Sequence, residues 1–267
     1  MQKPREAESE KETNKLLLVV ERDVRLFFQY KFLVIMRAIW FVSQIALFGL
    51  IASRLINSAV VPDYFHYYVA GLSVMTLYSA AMFIGFDLYE EAEHGVFEYL
   101  LSLPVTRRQL VLGRSIGGGL RAFIYVGPLI AISLYVIGAV NPLNFALTLF
   151  SLFLFAFGVS GMSITIAVAI KSSDRFDILM GVLDALIVRL STAMYPLAIV
   201  QSANPLYGGI ASYNPVTFVA DLFRWGTNII TLDNPLLPLL GVMIFFGTFT
   251  FIGIVIYDKR IEGGGWQ

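Results

Sequence analysis

Six stretches of this sequence, at 32–56, 64–86, 115–138, 145–170, 178–200 and 236–257, are apolar over lengths that cross the roughly 30 Å hydrocarbon core of a bilayer. In lipid a backbone must satisfy its own polar groups, so such segments are helices. The expected fold class is therefore all-α, a polytopic membrane protein with six transmembrane helices. Composition agrees: of 267 residues 57% are hydrophobic and only 14% charged, with mean hydropathy +0.74. A soluble domain carries roughly a quarter of charged residues. The fourth stretch has no charge between 145 and 170, whereas the fifth carries Asp184 and Arg189. Zero net charge points to no nucleic-acid partner, and two histidines without a cysteine leave little for a metal site or a disulfide framework. The first fifteen residues are polar, and the apolar run after them is broken by Glu21, Arg22 and Asp23. No signal peptide is expected there, and the chain inserts by its own spans.

Orientation follows from lysine and arginine placement. With six spans, Lys3, Arg5, Lys11, Lys15, Arg22, Arg25 and Lys31, then Arg107, Arg108 and Arg114, then Lys171 and Arg175, then Lys259 and Arg260 share one side. The other side holds only Arg54 and Arg224. Both termini are expected in the cytoplasm, and the membrane is expected to be the cell (plasma) membrane. Leu16, Leu17, Val20, Val24, Phe27 and Phe28 form one helical stripe opposite Glu21, Arg22, Arg25 and Gln29. Residues 1–31 thus read as a cytoplasmic tail and an amphipathic interface helix on the membrane surface. The spans occupy 32–257, and 258–267 is a second cytoplasmic tail.

The outer side is marked by Asn-Pro pairs at 141–142, 204–205, 214–215 and 234–235, each a turn initiator. Residues 201–232 are too apolar for a free loop, and each half is too short to span. They read as an external re-entrant helical hairpin, with an interfacial loop lying flat as the other option.

Between spans two and three, 87–114 is a charged island whose acids precede its bases. A helix over 90–103 places Glu91, His94 and Glu98 along one side and Val96, Phe97, Leu100, Leu101 and Leu103 along the other. Pro104 stops it. Thr106 and Gln109 then make a capping box, so a new helix begins at Arg107 and runs on into span three. Arg107 and Arg108 oppose the dipole of that helix, so lipid phosphates or an acidic partner surface must favour them.

This order of parts resembles the membrane subunit of a type-2 ABC transporter, an exporter permease family. The resemblance is carried by Glu90-Glu91, Gly95, Glu98, Leu100-Leu101, Leu103-Pro104-Val105 and Gly113-Arg114, which look like the family's E-x-x-x-G-x-x-E-x-L-x-x-x-P-V loop. Asn214-Pro215-Val216-Thr217 with Asp221 and Arg224 is similar to its segment before the last span. At the end of span five, Leu190 to Pro196 lacks the glycine that often precedes that proline. The resemblance implies a dimer, of two copies or with a paralogue, each half docked on an ATP-binding cassette subunit that holds ATP and Mg; no cofactor is expected in this chain. It also implies that the N-terminal helix and the 87–114 loop form the docking surface. The coupling candidates are Glu90, Glu91, Gly95, Phe97, Glu98, Leu100, Leu101, Pro104, Arg107 and Arg108. Phe97, Leu100 and Leu101 would anchor the partner, Glu91 and Glu98 would form the rim, and Gly95 would let the partner's backbone approach.

No Walker-type phosphate loop exists in the sequence, so the chain is not expected to be an enzyme. Gly117-Gly118-Gly119, inside span three, read as close helix packing. A charge within a span must face protein or water, which singles out Asp184 and Arg189. Five residues separate them, about 140° on an α-helix, so each is expected to find another partner. For Arg189 either a translocation path or dimer interface, or a structural bridge to a neighbouring span, fits. The competing functions are a secondary transporter, which would show repeats and charged spans at the midplane, and a membrane-embedded lipid-modifying enzyme, which would cluster acids or histidines at the membrane face.

Overall fold

A computed structural model describes residues 15–25, 31–58, 61–138 and 140–260. The tails at 1–14 and 261–267, and Phe27, Phe28 and Gln29 of the expected amphipathic stripe, lie outside the described residues. Among the described residues there are helices and no strands. A helix over 15–25, α1, precedes α2 (Lys31–Gln44), which continues through a π-turn at Ile45–Gly49 into α3 (Leu50–Leu55). Then follow α4 (Tyr64–Met82), α5 (Ile84–Glu93), α6 (Val96–Ser102), α7 (Arg107–Ile137) and α8 (Pro142–Ile170). After α9 (Ser173–Leu183) a π-helical segment occupies Asp184–Arg189, before α10 (Leu197–Ala203), α11 (Pro205–Ser212), α12 (Pro215–Gly226) and α13 (Leu236–Arg260).

Among the described residues five helices are long and apolar enough to cross a membrane: Ala38–Leu55, Tyr64–Glu93, Arg107–Ile137, Pro142–Ile170 and Leu236–Ile256. The expected fifth span, 178–200, is not a continuous helix. Its first half is helical to Arg189, residues 191–195 bend, and Pro196 restarts the chain as the short α10. The sequence supplies the reason, since Pro196 lacks an N–H and forces the preceding residue away from helical backbone.

Each Asn-Pro pair begins a helix instead of only turning the chain. Asn141, Asn204 and Asn214 accept backbone N–H groups at the starts of α8, α11 and α12, with the proline in the first turn. Asn234 accepts from Leu236 N at 3.0 Å. A short polar side chain that caps, followed by a ring preset to helical φ, is the most favourable start a helix has.

The core lies between α4, α7, α8 and α12, where Leu77, Val126, Leu152, Phe155, Val159 and Phe223 are buried. Gly119 permits α7 to press on α8, because a Cβ there would come within 2.8 Å of the Phe157 backbone; this is the close packing expected of the triple glycine. On the periphery, α2, the π-turn after it, α3 and α13 keep Ile35, Ile39, Phe48, Ile51, Leu237, Ile244 and Phe251 exposed, the apolar surface a lipid environment would cover. Between α4 and α5 the helix is interrupted at Phe83, and Ser163 of α8 fills the interruption. Its Oγ donates to Met82 O and accepts from Gly85 N at 3.0 Å.

Candidate functional site

The 87–114 island folds as two short helices and the start of a long one. Where one helix over 90–103 was expected, α5 ends at Glu93 and α6 begins at Val96. Between them Gly95 has φ +69°, a left-handed backbone that glycine adopts without penalty. A Cβ at Gly95 would meet nothing of this chain within 4 Å, so within the chain the glycine serves the turn. Helical periodicity continues through the residues on both sides, which hides the break. The capping box forms as expected: Thr106 accepts from Gln109 N at 3.3 Å, and Gln109 Oε1 accepts from Thr106 N at 3.0 Å.

Two of the expected docking residues face inward. Leu100 is buried, so it is not an anchor for a partner. Glu91 is buried as well, and it accepts from Arg114 of α7 and Arg22 of α1. It is an internal clamp instead of a rim acid. The side chains of Phe97, Glu98 and Leu101 lie outside the described residues. The loop's exposed residues include Glu90, Glu93, His94, Tyr99, Pro104 and Arg108, with Arg107 partly covered.

Arg22, Arg114 and Arg121 here meet Asp23, Asp87 and Glu91. Arg22 Nη1 also reaches Asp23 Oδ1 at 3.2 Å, and Arg121 pairs with Asp87. Arg114 is fully buried. Of the stripe the sequence assigns to the membrane surface, Leu17 is exposed, as is Leu18 beside it, but Val20 is buried together with Val19 and Asp23. That face meets α7 at two glycines: a Cβ on Gly113 would lie 2.9 Å from Val19 Cβ, and one on Gly117 would lie 2.8 Å from Asp23 Cβ. Burial pushes the Asp23 carboxyl up to about 6, against the pull of Arg114 and Arg22 and with the repulsion of Glu91. Three helices distant in sequence are therefore tied by one ion cluster.

A second cluster sits at the opposite end of the chain's helices, where α4 begins and α12 ends. Arg224 of α12 is fully buried. Its guanidinium donates to Asp221 Oδ1 at 2.9 Å, Thr192 O at 3.0 Å, Ala193 O at 2.8 Å and Tyr67 O at 3.3 Å. The carbon of the guanidinium lies 3.4 Å from the Tyr67 ring centroid, a cation–π contact. Counting charges places an arginine on a side of the membrane but does not reveal that it is buried; the only local signal was Asp221 three residues before it.

Asp184 and Arg189 do pair, contrary to expectation: Arg189 Nε donates to Asp184 Oδ2 at 3.2 Å. The expectation assumed α-helical geometry, and this segment is π-helical, which brings i and i+5 together. Both side chains remain substantially exposed, 66% and 36%. His66 lies beside Asp63 and Val136 O, and His94 caps Glu90 O, so the two histidines sit in separate local contacts.

A family model described as ABC-2 type transporter matches residues 14–228, a stretch that contains both clusters and the whole 87–114 loop. No curated protein matches the chain.

Proposed function

This chain belongs to the ABC-2 type transporter family, and on that premise we propose that it is the membrane-spanning permease of an ATP-driven exporter. It works as a dimer, of two copies or with a paralogue, and a separate ATP-binding cassette subunit supplies ATP and Mg. Six crossings fit this reading, with both termini cytoplasmic in the plasma membrane. The fifth crossing consists of helical residues 173–189, about 25 Å at 1.5 Å per residue, and the bend after them. Residues 201–232 enter the outer leaflet as a re-entrant hairpin, which the two capped helices α11 and α12 suit.

The observation that carries the proposal is the ion cluster joining α1, α5 and α7. A partner pressing on the 87–114 loop or on α1 acts on a body already bonded to α7, so a nucleotide-driven push reaches a span instead of bending a loose surface. The exposed residues Glu90, Tyr99, Pro104 and Arg108 supply the contact surface, with Tyr99 as its aromatic anchor. Secondary transport and lipid modification gain no support from this arrangement, because the buried carboxylates are spent on arginines.

The test is co-purification with a candidate ATP-binding subunit and the ATPase activity of the reconstituted pair. Tyr99→Asp should lose the partner, while Pro104→Ala should keep it and lower the ATPase stimulation that depends on the permease. Undiminished co-purification and stimulation in Tyr99→Asp would contradict the docking surface.

A further inference from the structure

Between Arg189 and Leu197 the chain leaves the helix, and its carbonyls lose the donors that a helix would have supplied. Such groups cannot stay bare in a low-dielectric surrounding. Side chains of other elements meet them and the last carbonyls of the π-helical turn before them. Asn214 Nδ2 donates to Ile187 O at 2.8 Å, Tyr207 OH to Arg189 O at 2.5 Å, Tyr67 OH to Thr192 O at 3.0 Å and Tyr64 OH to Met194 O at 2.9 Å. Thr217 Oγ1 accepts from Thr192 N at 3.0 Å. Arg224 takes the central position, with one nitrogen on both Thr192 O and Ala193 O.

Three further features fit a moving part. A π-turn precedes the segment and Pro196 follows it, so both ends are places where a helix bends. Its floor is Gly71 of α4, where a Cβ would stand 1.8 Å from Ala193 O, so the seated position exists only because no side chain fills it. Its bonds are mostly made by side chains, each of which can let go by changing rotamer, whereas a helix must break its backbone ladder to move.

We propose that residues 191–195 form a gate segment in the fifth span, and that Arg224 is the positioning residue that latches it against α4 and α12. Asp221 holds the guanidinium from one side while the Tyr67 ring and carbonyl hold it from another, leaving one nitrogen aimed at the two gate carbonyls. The role assigned to this gate, closing the outer end of a transport path, rests on the permease reading above. The latch itself does not.

The sequence contains no cysteine, so a single introduced thiol is a clean reporter. Ala193→Cys places it on the gate and Val126→Cys in the core of α7; both positions are fully buried. Labelling by a water-soluble maleimide, on the full chain in detergent without partner or substrate, reads opening of each. Arg224→Gln should speed labelling at Ala193→Cys by about tenfold or more, since one lost charge-assisted hydrogen bond shifts an opening equilibrium by that order. Arg224→Lys keeps the charge but not the fork, and should fall between the wild type and Arg224→Gln. Gly71→Ala, whose Cβ would stand 1.8 Å from Ala193 O and 2.9 Å from Arg224 Nη2, unseats the gate while keeping the arginine, and should also speed it. Labelling at Val126→Cys should be unchanged in all three. An unchanged rate at Ala193→Cys in Arg224→Gln and Gly71→Ala, or an equal rise at Val126→Cys, would overturn the latch. Faster labelling in a protein that never supports ATP-driven transport would leave the latch standing and remove the permease reading instead.

Discussion

The two buried arginines, Arg114 and Arg224, solve the same problem in opposite ways. Both are fully buried in an apolar helical body, where an unpaired charge is costly. Arg114 is answered by carboxylate chemistry: Glu91 lies against it, Arg22 shares that glutamate, and Asp23 completes the group. Arg224 has a single carboxylate and is answered mainly by backbone, through the carbonyls of Tyr67, Thr192 and Ala193. The difference lies in what each can hold. Side chains paired with side chains join whole helices, and they respond to pH and to compensating substitutions. A guanidinium on carbonyls holds an irregular backbone in one place, and no exchange of side chains can replace its acceptors.

The largest effect should come from breaking the first arrangement and then repairing it. Arg114→Gln leaves Glu91 and Asp23 buried with Arg22 as their remaining direct partner, and should cost about 3–5 kcal/mol of stability, the usual loss on removing one partner of a buried pair. Glu91→Gln combined with Arg114→Met should recover part of that loss in thermal unfolding of the purified protein. If the double variant is no better than Arg114→Gln, the cluster is not an ion pair in energetic terms. For Arg224→Gln a second substitution, Asp221→Asn, can relieve only the stranded carboxylate, so rescue should be smaller, because the other acceptors are the backbone carbonyls of Tyr67, Thr192 and Ala193.

Smaller and more specific is the pH response of Asp23. Its carboxyl is pushed up to about 6 by burial, so between the ordinary carboxylate value and about 6 the folded state holds a proton that the unfolded chain has released. Stability from this group is present at low pH and is lost as pH rises through about 6. Asp23→Asn removes that loss, so the drop in melting temperature between pH 5 and pH 7 should shrink in the variant. An unchanged drop would show that Asp23 is not the titrating group. Smallest of all should be the stability effect of Arg189→Ala: its pair with Asp184 is largely exposed, and such pairs contribute less than about 1 kcal/mol. The same variant should lower transport if Arg189 borders the path or the dimer interface. A normal melting temperature with normal transport would make the residue incidental.

What the sequence made legible was local. The capping box of Thr106 and Gln109 spans four residues and formed as read. Five of the apolar runs became long helices, since length and hydropathy alone decide whether a segment can cross. The Asn-Pro pairs were visible, though their capping role needed the helix after each to be recognised. Features that depend on which side a residue turns were not legible. Glu91 and Leu100 belong to an amphipathic pattern that assigns them a face but not the neighbour on that face, and the neighbours, Arg22 and Arg114, come from other helices. The left-handed turn at Gly95 left the helical period undisturbed. The pairing of Asp184 with Arg189 was excluded by α-helical spacing and restored by a π-turn, which no residue in 184–189 announces. Burial of Arg224 was likewise invisible, because its acceptors are carbonyls that every sequence has.

The central claim is that α1 and α7 act as one body when an ATP-binding subunit presses on them, and a cross-link tests it directly. In a chain without cysteines, Val19→Cys with Gly113→Cys places two thiols on facing positions, the Cβ built on Gly113 standing 2.9 Å from that of Val19. Disulfides span roughly 3.5–4.5 Å between Cβ atoms, so only a small shift is needed. The measurement is the ATPase activity of the reconstituted complex before and after oxidation, with reductant as the control. The account predicts equal stimulation in both states, because the bond joins parts that already move together. Activity that falls on oxidation and returns on reduction would show that α1 must slide on α7, contradicting the single coupled body.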